Sequence, residues 1–330
     1  MRAVVCREWC EPADLTVEET AAPEPGEGEV RIAVHAAGLN FGDTLIIQGK
    51  YQEKPELPFT PGMECAGEID AVGAGVTGLK EGDRVMAITG RGAFAEQAVC
   101  DAGSVTRIPD SMGFEAAAAF PVAYGTAHVG LRHRVDLQAD EALLVHGAAG
   151  GVGLTAVQIG TVLGANVIGT ARGKDKLSIA QANGANHVID YGEEDIRERV
   201  KAITGGRGVD VVYDPVGGKV FDQSLRCLAW EGRLLVIGFA SGQIPQVPAN
   251  YLLVKNIAVV GFYWGAYFKR DPAVIQRSFA ELLAWFDDGL LAPHVSKTFD
   301  LEEVPAAMER MLSRKSTGKV VLTTGITRPA

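Results

Sequence analysis

The sequence predicts an α/β protein in which a doubly wound, six-stranded parallel sheet is inserted into a mostly β domain. Three observations carry this. From about Glu141 onward, continuous apolar runs recur at helix-length intervals, as expected for strands buried on both faces. The first third instead holds short β segments divided by turn residues. Beyond Phe262 two further helices and a strand remain, and they need a core to join once six strands have completed the central sheet. A length of 330 residues suits about two domains.

In order along the chain, residues 29–35, 64–72, 83–88, 94–99 and 105–108 read as strands of an irregular, mostly antiparallel domain. Turns such as Pro25-Gly26-Glu27-Gly28 and Lys80-Glu81-Gly82-Asp83 separate them. An alanine-rich helical stretch begins around 114–120. The parallel strands are expected at 142–146, 166–170, 187–190, 209–214, 233–239 and 257–262, with helical patterns at 154–163 and 195–203 between them. Such alternation implies right-handed crossovers. The tail carries a helix with Ile275, Phe279, Leu282 and Phe286 on one face, a second helix over 301–312 and a strand over 319–323. The expected domains are therefore 1–123 with 265–330, and 124–264 as the insert.

Composition narrows the partners. Thirty-one Lys and Arg against 41 Asp and Glu give a net charge of −10, which argues against a nucleic-acid surface but leaves room for a small anionic ligand held by local cations. No apolar run reaches the roughly 18–20 residues that span a bilayer. The start MRAVVCREWCEPAD lacks a long apolar core and a small-residue cleavage site, so a cytoplasmic protein without a signal peptide is expected. Cys6, Cys10, Cys65, Cys100 and Cys227 are an odd, scattered set, read as reduced and partly buried thiols. Cys6 and Cys10 have no second pair at zinc spacing. His35, His128, His133 and His146 form no ligand set, and His146 is expected to pack beneath the turn that follows it.

The segment Leu143–Leu154 (LLVHGAAGGVGL) is the most informative. A strand meets a Gly-rich turn, and a helix follows. The spacing Ala148-x-Gly150-x-x-Gly153 is the dinucleotide fingerprint with Ala at its first position. Gly150 would let backbone approach a pyrophosphate, Gly153 would let the helix lie close to the strand, and the helix start would offer free N–H groups. The next strand ends Gly169-Thr170-Ala171 without the acid that binds an NAD ribose, and Arg172, Lys174 and Lys176 follow. Cations there suit a 2′-phosphate, so NADP is favoured.

Across the whole chain the sequence resembles the quinone oxidoreductase, zeta-crystallin-like branch of the medium-chain dehydrogenase/reductase superfamily. The residues that carry the resemblance are Ala37-Gly38-Leu39-Asn40-Phe41-Gly42-Asp43, Pro61-Gly62-Met63-Glu64-Cys65-Ala66-Gly67, Lys80–Val85, His146–Gly153 and Thr317-Gly318-Lys319-Val320-Val321-Leu322. Zinc members carry Cys at the position of Asn40 and Gly-His-Glu at that of Gly62-Met63-Glu64. Neither Asn40 nor Met63 replaces such a ligand, and no metal is expected.

The resemblance implies a Rossmann domain set into a GroES-like catalytic domain, with NADPH in the cleft between them and hydride delivered to a quinone or α,β-unsaturated carbonyl. It implies cofactor contacts at Asn40, Gly150, Gly151, Val152, Arg172, Gly173, Lys176, Tyr191, Val216, Gly238, Phe239, Ala240, Ser241, Phe262, Tyr263, Trp264 and Arg314. At the reacting end the candidates are Asn40, Asp43 and Tyr51. Asn40 is a hydrogen-bond partner for the nicotinamide ribose or a substrate carbonyl, Asp43 an orienting or proton-relaying group, and Tyr51 a donor to a developing oxyanion. Equally, Asn40 and Asp43 can cap a helix, and Tyr51 can be an apolar wall. A homodimer through the edge strand 257–262 is expected. A 2-enoyl thioester reductase and a non-catalytic NADPH-binding protein are the alternative readings.

Overall fold

The computed structural model describes residues 1–326. It divides into two compact units, one of Met1–Val122 together with the chain from Pro293 on, the other of Ala123–Ala292.

Seven strands precede the second unit: β1 Arg2–Val5, β2 Thr16–Glu19, β3 Glu29–Leu39, β4 Glu64–Val72, β5 Arg84–Ile88, β6 Gln97–Asp101 and β7 Val105–Arg107. The second unit supplies β8 Ala142–His146, β9 Asn166–Ala171, β10 His187–Asp190, β11 Val209–Asp214, β12 Leu228–Val236 and β13 Ala258–Gly261. The chain then returns to the first unit for β14 Val295–Asp300 and β15 Lys319–Thr323.

In the first unit the main sheet runs β14-β15-β3-β4-β5-β7, with β6 also pairing with β3. Only the β14–β15 pair is parallel. β3 extends to Leu39, beyond the expected residue 35, because Ala36–Leu39 gains a partner on each side: Leu39 faces Val320 of β15, and Gly38 faces Glu64 of β4. β6 begins at Gln97, later than expected, since Ala95 bridges to Ala3 and Phe94 accepts from the Val4 N–H. β1, β2 and β14 are additions to the expected set. β14 is a half-buried edge without an apolar run, so pattern reading passes over it. Val30, Ile32, Val34, Leu39, Phe94, Val320 and Leu322 join Val304 and Met308 of the helix Val304–Leu312 in one core.

In the second unit all six strands are parallel, in the order β10-β9-β8-β11-β12-β13. The order reverses beside β8, and in sheets of this kind ligands bind at the strand carboxyl ends near such a reversal. β8 is buried throughout, which explains its uninterrupted apolar run. β12 starts at Leu228 and ends at Val236, not at 239, leaving Gly238 onward as a loop.

The expected boundary at residue 265 moves to 292/293. The helix Pro272–Asp287 packs within the second unit, not the first. Its Phe279 meets Trp264 edge-on, with ring centroids 6.3 Å apart. Its Ser278 hydroxyl lies 2.8 Å from Nδ1 of buried His128, whose Nε2 is 3.0 Å from Glu281. The apolar face of the helix was legible, but not the core it joins. Periodicity marks a buried face without naming its partner.

The helix Gly151–Val162 lies against the turn after β8 so closely that a Cβ on Gly153 would stand 2.1 Å from the Gly147 carbonyl oxygen. Overpacking at such a contact costs about 1–3 kcal/mol. Gly153→Ala should therefore lower the urea midpoint of unfolding, whereas Gly113→Ser, with no atom within 4 Å of its Cβ position, should leave it unchanged.

Candidate coenzyme and active site

In the second unit the turn His146–Gly150 places the start of a helix at the end of β8. Gly147 takes a left-handed φ of 60°, and its carbonyl accepts from Gly150 N–H. Gly150 is the N-cap and contributes no side-chain cap. The N–H groups of the first helical turn have no intrahelical acceptor, so those of Gly151 and Val152 are set out for an anion. Beneath the turn His146 is wholly buried, with Nδ1 2.9 Å from the Thr170 hydroxyl and Nε2 2.7 Å from that of Ser224. Burial lowers its pKa, opposed by Asp214. As expected, it is a packed support.

At the end of β9, the Arg172 guanidinium stands over the Tyr191 ring, 5.5 Å from its centroid. Two acids flank this loop: Asp175, in the first turn of the helix Lys174–Ala182, and Asp190, at the end of β10; the latter is the one bonded to the loop. Its two oxygens accept from the N–H groups of Gly173, at 3.0 Å, and Gly192, at 2.9 Å, so this carboxylate shapes the loop. Gly173 has φ 87°, a conformation that favours glycine. Lys176 stands in the helix Lys174–Ala182 that follows. The loops after β11 and β12 are tied together, with Ala240 N–H bonded to Pro215 O and Ser241 N–H to Val216 O. This brings Val216, Gly238, Phe239, Ala240 and Ser241 into one group at the strand carboxyl ends. Phe262 and half-exposed Tyr263 follow β13. Trp264 comes next in the chain. Its ring is buried over Gly125, where an added Cβ would lie 2.4 Å from the indole, so its side chain is core.

In the first unit, three neighbouring strands end at one edge. Asn40 follows β3, Glu64 begins β4 and Lys319 begins β15. Lys319 Nζ donates to Leu39 O at 2.8 Å, Asn40 Oδ1 at 2.6 Å and Glu64 Oε1 at 2.8 Å. Asn40 Nδ2 donates to Glu64 Oε1 at 2.7 Å and Gly38 O at 3.3 Å. Glu64 Oε2 accepts from Val122 N–H at 2.8 Å. Glu64 and Lys319 were visible only as parts of motifs and were not expected as site residues. A buried ion pair linking residues 64 and 319 has no local sequence signal.

Asn40 is also the N-cap of the helix Phe41–Ile47, and Asp43 closes the cap by accepting from Asn40 N–H at 2.8 Å. Asp43 is fully buried, and the role the structure gives it directly is the cap. Its carboxyl pKa is pushed up to about 7, chiefly by burial, with Asn40 N–H and the Lys319 charge opposing and the Glu64 charge adding to the rise. Tyr51 and Met63 crowd the same helix start. A Cβ on Gly42 would lie 3.4 Å from Tyr51 Cε2 and 3.1 Å from Met63 Sδ. Both side chains pack partly against the core, which gives Tyr51 an apolar wall. Arg314, exposed, follows the helix Val304–Leu312 with φ 57°. Among the described residues, no three His, Cys, Asp or Glu side chains converge as a metal site, and no helix is long and apolar enough to cross a membrane.

A carboxyl whose folded pKa lies above its unfolded value contributes stability that is full below the unfolded pKa and is lost as pH rises through the folded one. For Asp43 the window is about pH 4 to 7. Asp43→Asn keeps an oxygen for the Asn40 N–H. Its urea midpoint should rise relative to wild type across that window, read at pH 4, 5.5 and 7.

Residues 151–288 match the zinc-binding dehydrogenase family, and residues 26–110 the alcohol dehydrogenase GroES-like domain. The chain is 48% identical over 327 residues to quinone oxidoreductase-like protein 2 homolog of Nematostella vectensis, covering 98% of this chain and 89% of that one. Its fold matches Escherichia coli quinone oxidoreductase complexed with NADPH at a TM-score of 0.91 and 33% identity, over 98% of this chain and 100% of the other. A mycobacterial protein complexed with NADPH matches at 0.92 and 34%, over 98% and 100%. The doubly wound sheet, the GroES-like sheet and these likenesses agree: the chain belongs to the quinone oxidoreductase branch of the medium-chain dehydrogenase/reductase superfamily.

Proposed function

We propose that this protein is an NADPH-dependent reductase that transfers hydride to a quinone or another α,β-unsaturated carbonyl. The observation that carries the reading is the uncapped helix start after β8 beside a strand end that offers Arg172. One nearby acid, Asp190, is spent on backbone N–H groups. NADPH complexes of similar fold support the same coenzyme.

The residues present fit that coenzyme. Gly150, Gly151 and Val152 would hold its pyrophosphate, and Arg172, Gly173, Lys176 and Tyr191 its 2′-phosphate side. Val216, the loop Gly238–Ser241, Phe262, Tyr263, Arg314 and Asn40 complete the proposed contacts. When bound, NADPH supplies the hydride. The chain's own part is to orient and to keep water away. Tyr51 and Met63 offer an apolar face suited to a flat conjugated ring, and the Tyr51 hydroxyl is the candidate donor to the oxygen that gains charge. A quinone or enone is already electrophilic at the accepting carbon, and its product anion is delocalised. The residues at the zinc-ligand positions, Asn40 and Met63, provide no thiolate or imidazole.

We also propose a homodimer joined through β13. That strand is one of the two outer strands of the parallel sheet, and Ile244, Val247, Leu253 and Val254 shortly before it are exposed. Apolar edges of this kind invite pairing.

Three measurements test these readings. NADPH oxidation followed optically should proceed with a 1,2- or 1,4-quinone or an alkyl enone. Turnover with an enoyl-CoA alone would favour the thioester reductase, and binding without turnover a non-catalytic role. Losing charge-assisted bonds to a phosphate costs about 1.5–3 kcal/mol, so Arg172→Ala should weaken NADPH about 10- to 100-fold and leave NADH affinity unchanged. Sedimentation should give a dimer at micromolar concentration and a monomer for Leu253→Asp combined with Val254→Lys.

A further inference from the structure

The Asn40 carboxamide is spoken for on nearly every side, and this decides what it can do for a ligand. Its two amide hydrogens point at Glu64 Oε1 and Gly38 O, while its carbonyl oxygen takes a hydrogen from Lys319. A carboxamide has two donor hydrogens and two acceptor lone pairs. One lone pair on Oδ1 is left.

We infer that Glu64 and Lys319 are positioning residues that lock Asn40 so that it accepts a hydrogen bond from a ligand hydroxyl, as on a ribose, and does not donate to the substrate carbonyl. The inference rests on the proposed reductase reading for the identity of the ligand, but the lock itself is built into the protein. Turning the amide over would set its oxygen against the Glu64 carboxylate and its NH2 against the Lys319 ammonium. Glu64 accepts only and Lys319 donates only, so one orientation satisfies both. The bonds involve ionised partners, the strong kind. All three side chains are withdrawn from water, with relative exposures of 0% for Glu64, 5% for Lys319 and 9% for Asn40.

The backbone is adapted to this arrangement. A Cβ on Gly38 would stand 2.6 Å from Glu64 Oε1 and 2.2 Å from Ala118 O, so glycine is needed to seat the carboxylate. The Lys319 ammonium places all three of its hydrogens, on Leu39 O, Asn40 Oδ1 and Glu64 Oε1. Consequently the donor to a developing oxyanion has to be another group, Tyr51 or water.

The test uses full-length protein with 15N-labelled asparagine, the Asn40 amide signals being identified by their loss in Asn40→Ser. In wild type without ligand, the two amide protons should exchange slowly with water, and NADP+ should leave that protection in place. In Glu64→Leu with Lys319→Met, a similar-volume apolar replacement of a buried ion pair that such sites often tolerate, protection should fall at least about tenfold. There the NADPH dissociation constant should rise about tenfold, and adding Asn40→Ser should change it less than about twofold, with thermal unfolding reporting the fold. Unprotected Asn40 amide protons in wild type would overturn the inference, even if the double variant does not fold. So would full protection in the double variant, or a full additional loss from Asn40→Ser there. A wild type that fails to bind NADPH while its amide stays protected would refute the coenzyme reading and leave the lock standing.

Discussion

The approach of one helix to one turn governs the coenzyme half of this molecule. The helix Gly151–Val162 rests on the Gly147 carbonyl where only a hydrogen fits at position 153, and that contact fixes where its uncapped start points. Because all six strands are parallel, the loops after β9, β11 and β12 leave from the same side of the sheet as the turn after β8. The geometry proposed to hold the phosphates thus follows from sheet topology and one missing side chain. Buried His146, bonded to Thr170 and Ser224, supports the turn from below without exposing a titrating group.

The other unit solves a different problem. Asn40 ends a strand, caps a helix and carries a polar side chain at a nearly closed position. A buried carboxylate or ammonium is costly unless it is paired and hydrogen-bonded. Here the pair satisfies the amide and the amide helps satisfy the pair. The register of β15, β3 and β4 delivers Lys319, Asn40 and Glu64 to one place from three distant parts of the chain. Asp43 completes the cap from below, held at a raised pKa by its burial.

Much of this was legible in the residues. The apolar run located β8 to the residue, since a strand buried on both faces leaves an unbroken signal, and β10 and β11 also keep their expected bounds. The glycine spacing located the turn between β8 and its helix, where Gly153 answers a steric demand. What escaped had no local signature. The lock on Asn40 joins residues 24 and 279 positions away. The helix Pro272–Asp287 showed its apolar face but not the core it fills, so the domain boundary fell at 265 instead of 292/293. The burial of the Trp264 ring also had no local signature, since it depends on the missing side chain at Gly125.

The central claim is that the helix start and Arg172 together select a coenzyme bearing the extra phosphate. Calorimetric titration of the wild-type protein with NADPH and with NADH, each at low and high salt, tests it most directly. The account predicts NADPH tighter by at least about tenfold at low salt, with the gap narrowing as salt screens the phosphate. Equal affinity for the two, or tighter binding of NADH, would contradict it.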